Sequence, residues 1–203
     1  MTQGIRARQR AQTRAALVRQ GRRLFATQGY AAVGLAELVE AAGVTKGALY
    51  HHFTGKPDLF RAVLAEVQQE VADRVAAAAD AHHDPWSRFT AGCRAFLTAS
   101  TDPQLQRIML VDGPAVLGWN EWRALDEATS GRHLAEALTE LVDSGTIGRQ
   151  PVAPLARLLS GAMNEAALWL AGTTDPAALN DTWAALSRML AALRTPSPAG
   201  SAG

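Results

Sequence analysis

Residues 29–59 of this 203-residue chain read GYAAVGLAELVEAAGVTKGALYHHFTGKPDL. Leu35, Leu38, Val39 and Ala42 recur at helical spacing, which predicts a short helix with one apolar face. Gly43 follows at once. A glycine takes up positive φ without a Cβ clash, so the helix stops there and the chain turns sharply. Thr45 is placed to cap a second helix, its hydroxyl accepting from the first free backbone N–H groups. Ala48, Leu49, His52 and Phe53 continue that helix to Gly55. Pro57 suits the first turn of the next one, where its missing N–H costs nothing.

Two short helices set at a steep angle by a glycine turn make a helix-turn-helix, whose second helix lies in the DNA major groove. The exposed positions of that helix are Thr45, Lys46, Gly47, His51 and His52, none of which builds a core. Lys46 can approach a guanine edge or a phosphate. Gly47 and Ala48 are small enough to let the backbone near the bases, and the Tyr50 hydroxyl can reach a phosphate oxygen. Lys56 starts the next helix, where free N–H groups and the positive dipole end also favour an anion. Lys46 and Lys56 are the only lysines; every other permanent cation is an arginine.

These residues resemble the TetR family of bacterial transcriptional regulators. The resemblance is carried by Gly29-Tyr30, by Ala41-Ala42-Gly43-Val44-Thr45-Lys46-Gly47-Ala48-Leu49-Tyr50, and by His52-Phe53 with Lys56 and Leu59. It implies an N-terminal three-helix DNA-binding domain, an all-helical C-terminal ligand and dimer domain, and release from the operator when ligand binds. By match, Thr45, Tyr50, His52 and Lys56 are phosphate contacts, and Lys46, Gly47, Ala48 and His51 face the groove. One departure stands out: where the family usually carries Thr-Thr or Thr-Ser ahead of the first short helix, this chain has Val33-Gly34.

The formal charge of +1 conceals an asymmetry. Residues 1–60 hold nine Lys/Arg against three Asp/Glu, whereas residues 61–203 hold eleven against sixteen. A basic N-terminal third suits a polyanion and an acidic remainder does not. The Ala- and Leu-rich composition with few aromatics favours an all-α fold. No apolar run is long enough to span a membrane, residues 1–20 lack the apolar stretch of a secretory signal, and a single cysteine, Cys93, fits a reducing cytoplasm. A bacterial cytoplasmic protein, nucleoid-associated when bound to DNA, is expected.

Residues 1–11 read as a flexible basic arm. Arg6, Arg8, Arg10 and Arg14 either reach a phosphate or the minor groove or play no part. A first helix from about Thr13 to Gln28, with Leu17, Gly21, Leu24, Phe25 and Gln28 inward, completes a helix-turn-helix domain over residues 12–56. Residues 57–194 read as the ligand-binding and dimerisation domain, and 195–203, TPSPAGSAG, as a disordered tail. The helix starting at Pro57-Asp58 keeps its apolar period to about Ala79 and so links the two domains. His82-His83-Asp84 lacks the i, i+4 histidine pair of a helical metal site and reads as a solvated loop ending in an Asp84 cap before Pro85. A helix from Pro85 to Ser100 follows. A short one after Pro103 is expected to stop at Val111-Asp112-Gly113-Pro114, and a single helix to run from Trp119 to Gly145. The last two helices, about Val152 to Ala171 and Asp175 to Leu193, carry broad apolar arcs that suggest a homodimer built through them.

The irregular aromatic stretch 110–122 is where a cavity is expected. Phe89, Cys93, Phe96, Met109, Trp119 and Trp122 would wall it and Asp112, Asn164 and Glu165 orient a ligand. Taken singly, each apolar residue fits a filled core better than a pocket; as a set under the resemblance, they point to a pocket for an apolar or aromatic effector. No phosphate loop, HExxH or G-x-S-x-G is present, and no metal or cofactor is expected. The sequence thus points to a ligand-responsive repressor that reads a palindromic double-stranded operator as a homodimer; a non-specific architectural DNA-binding dimer is the alternative.

Overall fold

The computed structural model describes residues 2–195, and among these the chain is all-α. The helices are α1 Thr2–Gln28, α2 Leu35–Ala41, α3 Lys46–Tyr50, α4 Lys56–Asp80, α5 Pro85–Ser100 and α6 Pro103–Gln106; α6 passes into a π-helical turn, Arg107–Asp112. Then come α7 Gly113–Leu117, α8 Trp119–Glu127, α9 Ser130–Asp143, α10 Val152–Ala171 and α11 Ala178–Ala191. The chain divides into two compact units, one running to Gln69 and including Asp102–Leu125, the other comprising Glu70–Thr101 and the residues from Asp126 onward. The boundary falls inside α4. Residues 57–69 and 102–125 therefore belong with the helix-turn-helix rather than with the C-terminal bundle, because α1 packs directly on α6 and on the π turn.

The first unit closes around Leu17, Leu24 and Phe25 of α1, Leu38, Leu49 and Phe53 of the helix-turn-helix, and Leu59, Phe60, Val63 and Leu64 of α4, all buried. Phe25, Tyr30 and Phe60 form an aromatic trio with centroids 5.1–5.7 Å apart. Such pairs add about 0.5–1.5 kcal/mol each beyond their area burial. Gly43 ends the α2 turn at φ +64°, as its position requires. Three sequence expectations give way here. α1 begins at Thr2 rather than Thr13, since Arg, Gln and Ala between them are good helix formers, so residues 2–11 are helical and not a flexible arm. α3 ends at Tyr50 rather than Gly55: the amides of His52 and Phe53 both bond the Leu49 carbonyl, closing a turn. Finally, the chain does not stop at Gly113-Pro114.

The π turn explains that last difference. An α-helix through Pro114 would drive its ring against the carbonyl four residues back. The wider turn relieves this, and the Gly113 amide reaches the Ile108 carbonyl, an i→i−5 bond. In this register the Met109 carbonyl would look to residue 114, which has no N–H. The buried Trp122 indole N–H takes its place at 2.7 Å. Gly113 makes that approach possible, because a Cβ there would come within 2.9 Å of the Trp122 ring. Arg107 and Asp112, at the two ends of the turn, both engage the end of α1. Arg107 Nη2 donates to the Gln28 carbonyl at 3.1 Å, and the Asp112 carboxylate accepts the Tyr30 amide at 2.9 Å. Between them Gly29 sits at φ +84°, with the Arg107 guanidinium occupying the space a Cβ would need.

The second unit is a bundle of the later turns of α4 with α5, α9, α10 and α11. Asp84 caps α5, its carboxylate accepting the Ser87 amide at 2.8 Å with Pro85 in the first turn. The single helix expected from Trp119 to Gly145 is broken at Ala128-Thr129: Thr129 turns back on the Asp126 carbonyl, and Gly131 leaves room for that carbonyl, 3.1 Å from where its Cβ would lie. Thr195, expected to open a disordered tail, is tied to Thr146 and Gly145 by its amide and hydroxyl. The rest of that tail lies outside the described residues.

Gly29→Ala and Gly43→Ala separate backbone strain from the clamp. Both force a Cβ into positive φ, at a cost of roughly 1–2 kcal/mol, but only Gly29→Ala also displaces Arg107, since nothing lies within 4 Å of a Cβ at Gly43. Thermal unfolding is expected to show the larger fall in Tm for Gly29→Ala; equal shifts would mean that Arg107 adds nothing at this turn.

Candidate nucleic-acid interface and effector cavity

α3 is held by its one buried side chain, Leu49, and by its cap, with Thr45 Oγ1 accepting the Ala48 amide at 3.2 Å. That anchoring leaves Thr45, Lys46, Gly47, Tyr50 and His51 exposed on one short helix, with Ala48 and His52 half-buried. Beside them lie two arginines of α1. The Arg14 guanidinium carbon stands 5.3 Å from the Phe53 ring centroid, and both Arg10 and Arg14 act on His52. Burial, then Arg10, His51 and Arg14, hold the His52 imidazole below its ordinary value of 6.5. An anion brought to this cluster meets cations with no carboxylate among them.

Two sequence-assigned contacts are more occupied than their exposed neighbours. The Lys56 ammonium lies over the Tyr30 ring, 4.1 Å from its centroid, and its pKa is lowered by burial against the opposing pull of Asp112. Asp112, expected in a ligand pocket, is instead the acceptor for Tyr30. At the Val33-Gly34 departure, Val33 is buried and Gly34 is the N-cap of α2 with no side-chain bond. Glu37 stands three residues on, and its carboxylate accepts from Gln28 Nε2 at 2.6 Å.

A cavity of about 280 Å³ lies in the second unit. Val75, Ala76 and Ala79 of α4, Phe89, Gly92, Cys93 and Phe96 of α5, Leu134 and Ala137 of α9, and Met163 of α10 make its apolar wall. Asp126 and Ser160 lie within it, 3.4 Å apart, and Ser130, Gly131, His133, Glu136, Glu140 and the Asp80–Arg88 ion pair complete its lining. Burial pushes the Cys93 thiol up to about 12, so it is a neutral wall atom and not a nucleophile. Phe89, Cys93 and Phe96 are thus brought together as expected. Met109, Asp112, Trp119 and Trp122 are not in this wall: they belong to the first unit, where Met109 and Trp122 are core, Asp112 accepts the Tyr30 amide, and Trp119 is 64% exposed. Asn164 is buried in α10 with Nδ2 unpartnered, and Glu165 is exposed. Sequence reading missed Asp126, Ser160, Met163 and His133. The Ser160/Met163 i, i+3 spacing was a usable signal, while Asp126 and His133 depended on an unforeseen helix break.

A helix-turn-helix on a three-helix core, followed by a helical bundle with an internal cavity, defines the class. Residues 17–63 match the family described as "Bacterial regulatory proteins, tetR family", and residues 86–193 match "Tetracyclin repressor-like, C-terminal domain". The chain belongs to the TetR family, a family of transcriptional regulators and not of enzymes. A TetR-family transcriptional regulator of Pectobacterium atrosepticum is 34% identical, over 93% of this chain and 97% of that one, with a TM-score of 0.77. The transcriptional regulator TtgR of Pseudomonas putida is 38% identical over 73 residues, 36% of this chain and 34% of TtgR, so this match spans only about a third of that relative. RolR, solved with resorcinol, shares the fold at 21% identity and a TM-score of 0.70, over 90% of this chain and 89% of RolR.

Two predictions follow from the DNA-facing geometry. If a DNA phosphate lies beside His52, it favours the imidazolium that burial, Arg10, His51 and Arg14 disfavour in the free protein, and forming the complex takes up a proton. Affinity for DNA should therefore rise as pH is lowered from the ordinary histidine value of 6.5 toward the depressed one. His52→Gln should flatten this rise, and a profile unchanged by the substitution would place His52 away from phosphate. Gly34→Ser supplies the side-chain acceptor that the α2 N-cap lacks and should stabilise the fold by a few tenths of a kcal/mol, about the Gly-to-Ser difference at an N-cap. A Tm below the wild type would contradict the cap geometry.

Proposed function

We propose that this chain is a dimeric repressor that binds a palindromic operator through two copies of α3 and leaves it when a small, largely apolar effector occupies the cavity of the second unit. The observation that carries the reading is the face of α3: a helix pinned from behind by Leu49 alone and presenting small and basic residues outward. Thr45, Tyr50, His52 and Lys56 serve the backbone, and Lys46, Gly47, Ala48 and His51 the bases.

Dimerisation through α10 and α11 fits their surfaces. Leu158, Trp169 and Met189 are 72%, 57% and 59% exposed, more apolar surface than a monomer normally leaves to water. A two-fold axis there would present two recognition helices to half-sites about one DNA turn, roughly 34 Å, apart. α4 is the transmitting element, since it starts just after α3 and its later turns wall the cavity. Moving the operator from mostly bound to mostly free requires roughly a 10⁴-fold difference in effector affinity between the two geometries. A cavity near 280 Å³ suits a one- or two-ring compound with a hydroxyl or amine for Asp126 and Ser160; the ligand of RolR, resorcinol, is of this size class. Among the described residues no helix is long and apolar enough to cross a membrane, and the proposed site of action is the bacterial nucleoid.

Fluorescence anisotropy on the DNA upstream of this chain's own gene, with excess unrelated duplex present, tests the reading. Wild type should bind tightly, and Lys46→Ala should lose about 1–3 kcal/mol if Lys46 reads a base, with Tyr50→Phe losing less. Cys93→Trp should keep DNA affinity and fail to respond to effector, while Trp169→Glu should weaken both dimer and complex. Binding that unrelated duplex abolishes would favour a non-specific architectural role.

A further inference from the structure

α1 continues well beyond the domain it helps to build. Residues 4–12 are all exposed, and a solvent-exposed helical stretch of that length has little stability of its own. Its sequence is nevertheless ordered by face. At 3.6 residues per turn, Arg6, Arg10 and Arg14 fall within about 80° of one another, in the same sector as Leu17, Gly21 and Leu24. Those three are the buried face of α1, packed in the core of the first unit. The inward face of the helix therefore changes from apolar to cationic where the core ends. Arg8, Arg19 and Arg23 lie on the opposite side.

The neighbours of this cationic face are those of α3. Arg14 lies over Phe53 and, with Arg10, acts on His52. Among the described residues Arg6, Arg10 and Arg14 form no ion pair, and the first acidic residue in the sequence is Glu37. Apolar burial cannot account for a stripe of three guanidinium groups; a polyanion can. The stripe runs for about 12 Å at 1.5 Å per residue, and B-DNA presents a phosphate every 3.4 Å or so along each strand. We infer that the N-terminal turns of α1 form a second DNA-binding element, in which Arg6, Arg10 and Arg14 track the phosphate backbone flanking the half-site read by α3.

The inference rests on the reading of α3 as the DNA-facing helix, and the test keeps the two apart. Full-length wild type, Arg6→Gln/Arg10→Gln and Arg8→Gln would be titrated by anisotropy against a duplex recovered from a random-sequence pool by selection with wild type. Titrations would span a range of salt concentrations, on duplexes with one turn of flanking DNA at each end or trimmed flush with the half-sites. Glutamine keeps the helix, which circular dichroism would verify. The double variant removes four cations per dimer, so the slope of log K against log salt should fall by roughly 3–4, at about 0.9 per phosphate contact. Arg8→Gln should change it little, and trimming should weaken wild type while leaving the double variant nearly unaffected. An unchanged slope in the double variant, or an equal loss in Arg8→Gln, would overturn the inference while α3 binding stands. Failure of wild type to select any duplex would overturn the reading beneath it as well.

Discussion

The turn Gln28-Gly29-Tyr30 is held at both ends by one piece of helix. Arg107 satisfies the last carbonyl of α1, Asp112 takes the Tyr30 amide two residues on, and Gly29 lies between them in a conformation that only glycine adopts without strain. This clamp fixes the direction in which the chain leaves α1 toward α2. The placement of α3 follows, because α2 and α3 are too short to be stable on their own and take their orientation from what they pack against. Lys56 and the Phe25–Tyr30–Phe60 trio close the same corner from the other side. The clamp in turn depends on the π register, which sets Arg107 and Asp112 on one side of the turn and leaves the Met109 carbonyl to Trp122.

The division of charge follows the same plan. Arg6, Arg10 and Arg14 of α1 and Lys46 of α3 gather on faces that the first core does not bury. The acidic excess lies in residues 61–203, where a polyanion would be repelled. In the second unit the polar groups of the cavity largely face one another in pairs, Asp80 with Arg88 and Asp126 with Ser160. The apolar wall of Phe89, Cys93 and Phe96 lies beside these pairs.

Much of this was legible from local chemistry. Gly43 and Thr45 set the turn and cap of the helix-turn-helix, Asp84-Pro85 sets the start of α5, and the bounds of α10 were read correctly from periodicity and flanking residues. What escaped depended on contacts distant in sequence. Asp112 reads as a pocket residue until Tyr30 is seen beside it, 82 positions earlier. Gly113-Pro114 reads as a stop because a π turn has no local signature, and its acceptable register depends on Trp122. Arg6, Arg8 and Arg10 read as part of an arm over residues 1–11 because no apolar period marks a helix there; the order by face of Arg6, Arg10 and Arg14 emerges only when α1 is continued backward from Leu17.

The operator affinity of Asp112→Ala tests most directly whether this clamp positions the DNA-facing helix. Asp112 is remote in sequence from α3, and its carboxylate is taken up by the Tyr30 amide. A weakening of about tenfold or more, the equivalent of ~1.4 kcal/mol, is expected, in a protein that remains dimeric and helical and whose Tyr30 amide exchanges faster with solvent. Faster exchange at Tyr30 with undiminished operator affinity would show that α3 is placed independently of the clamp.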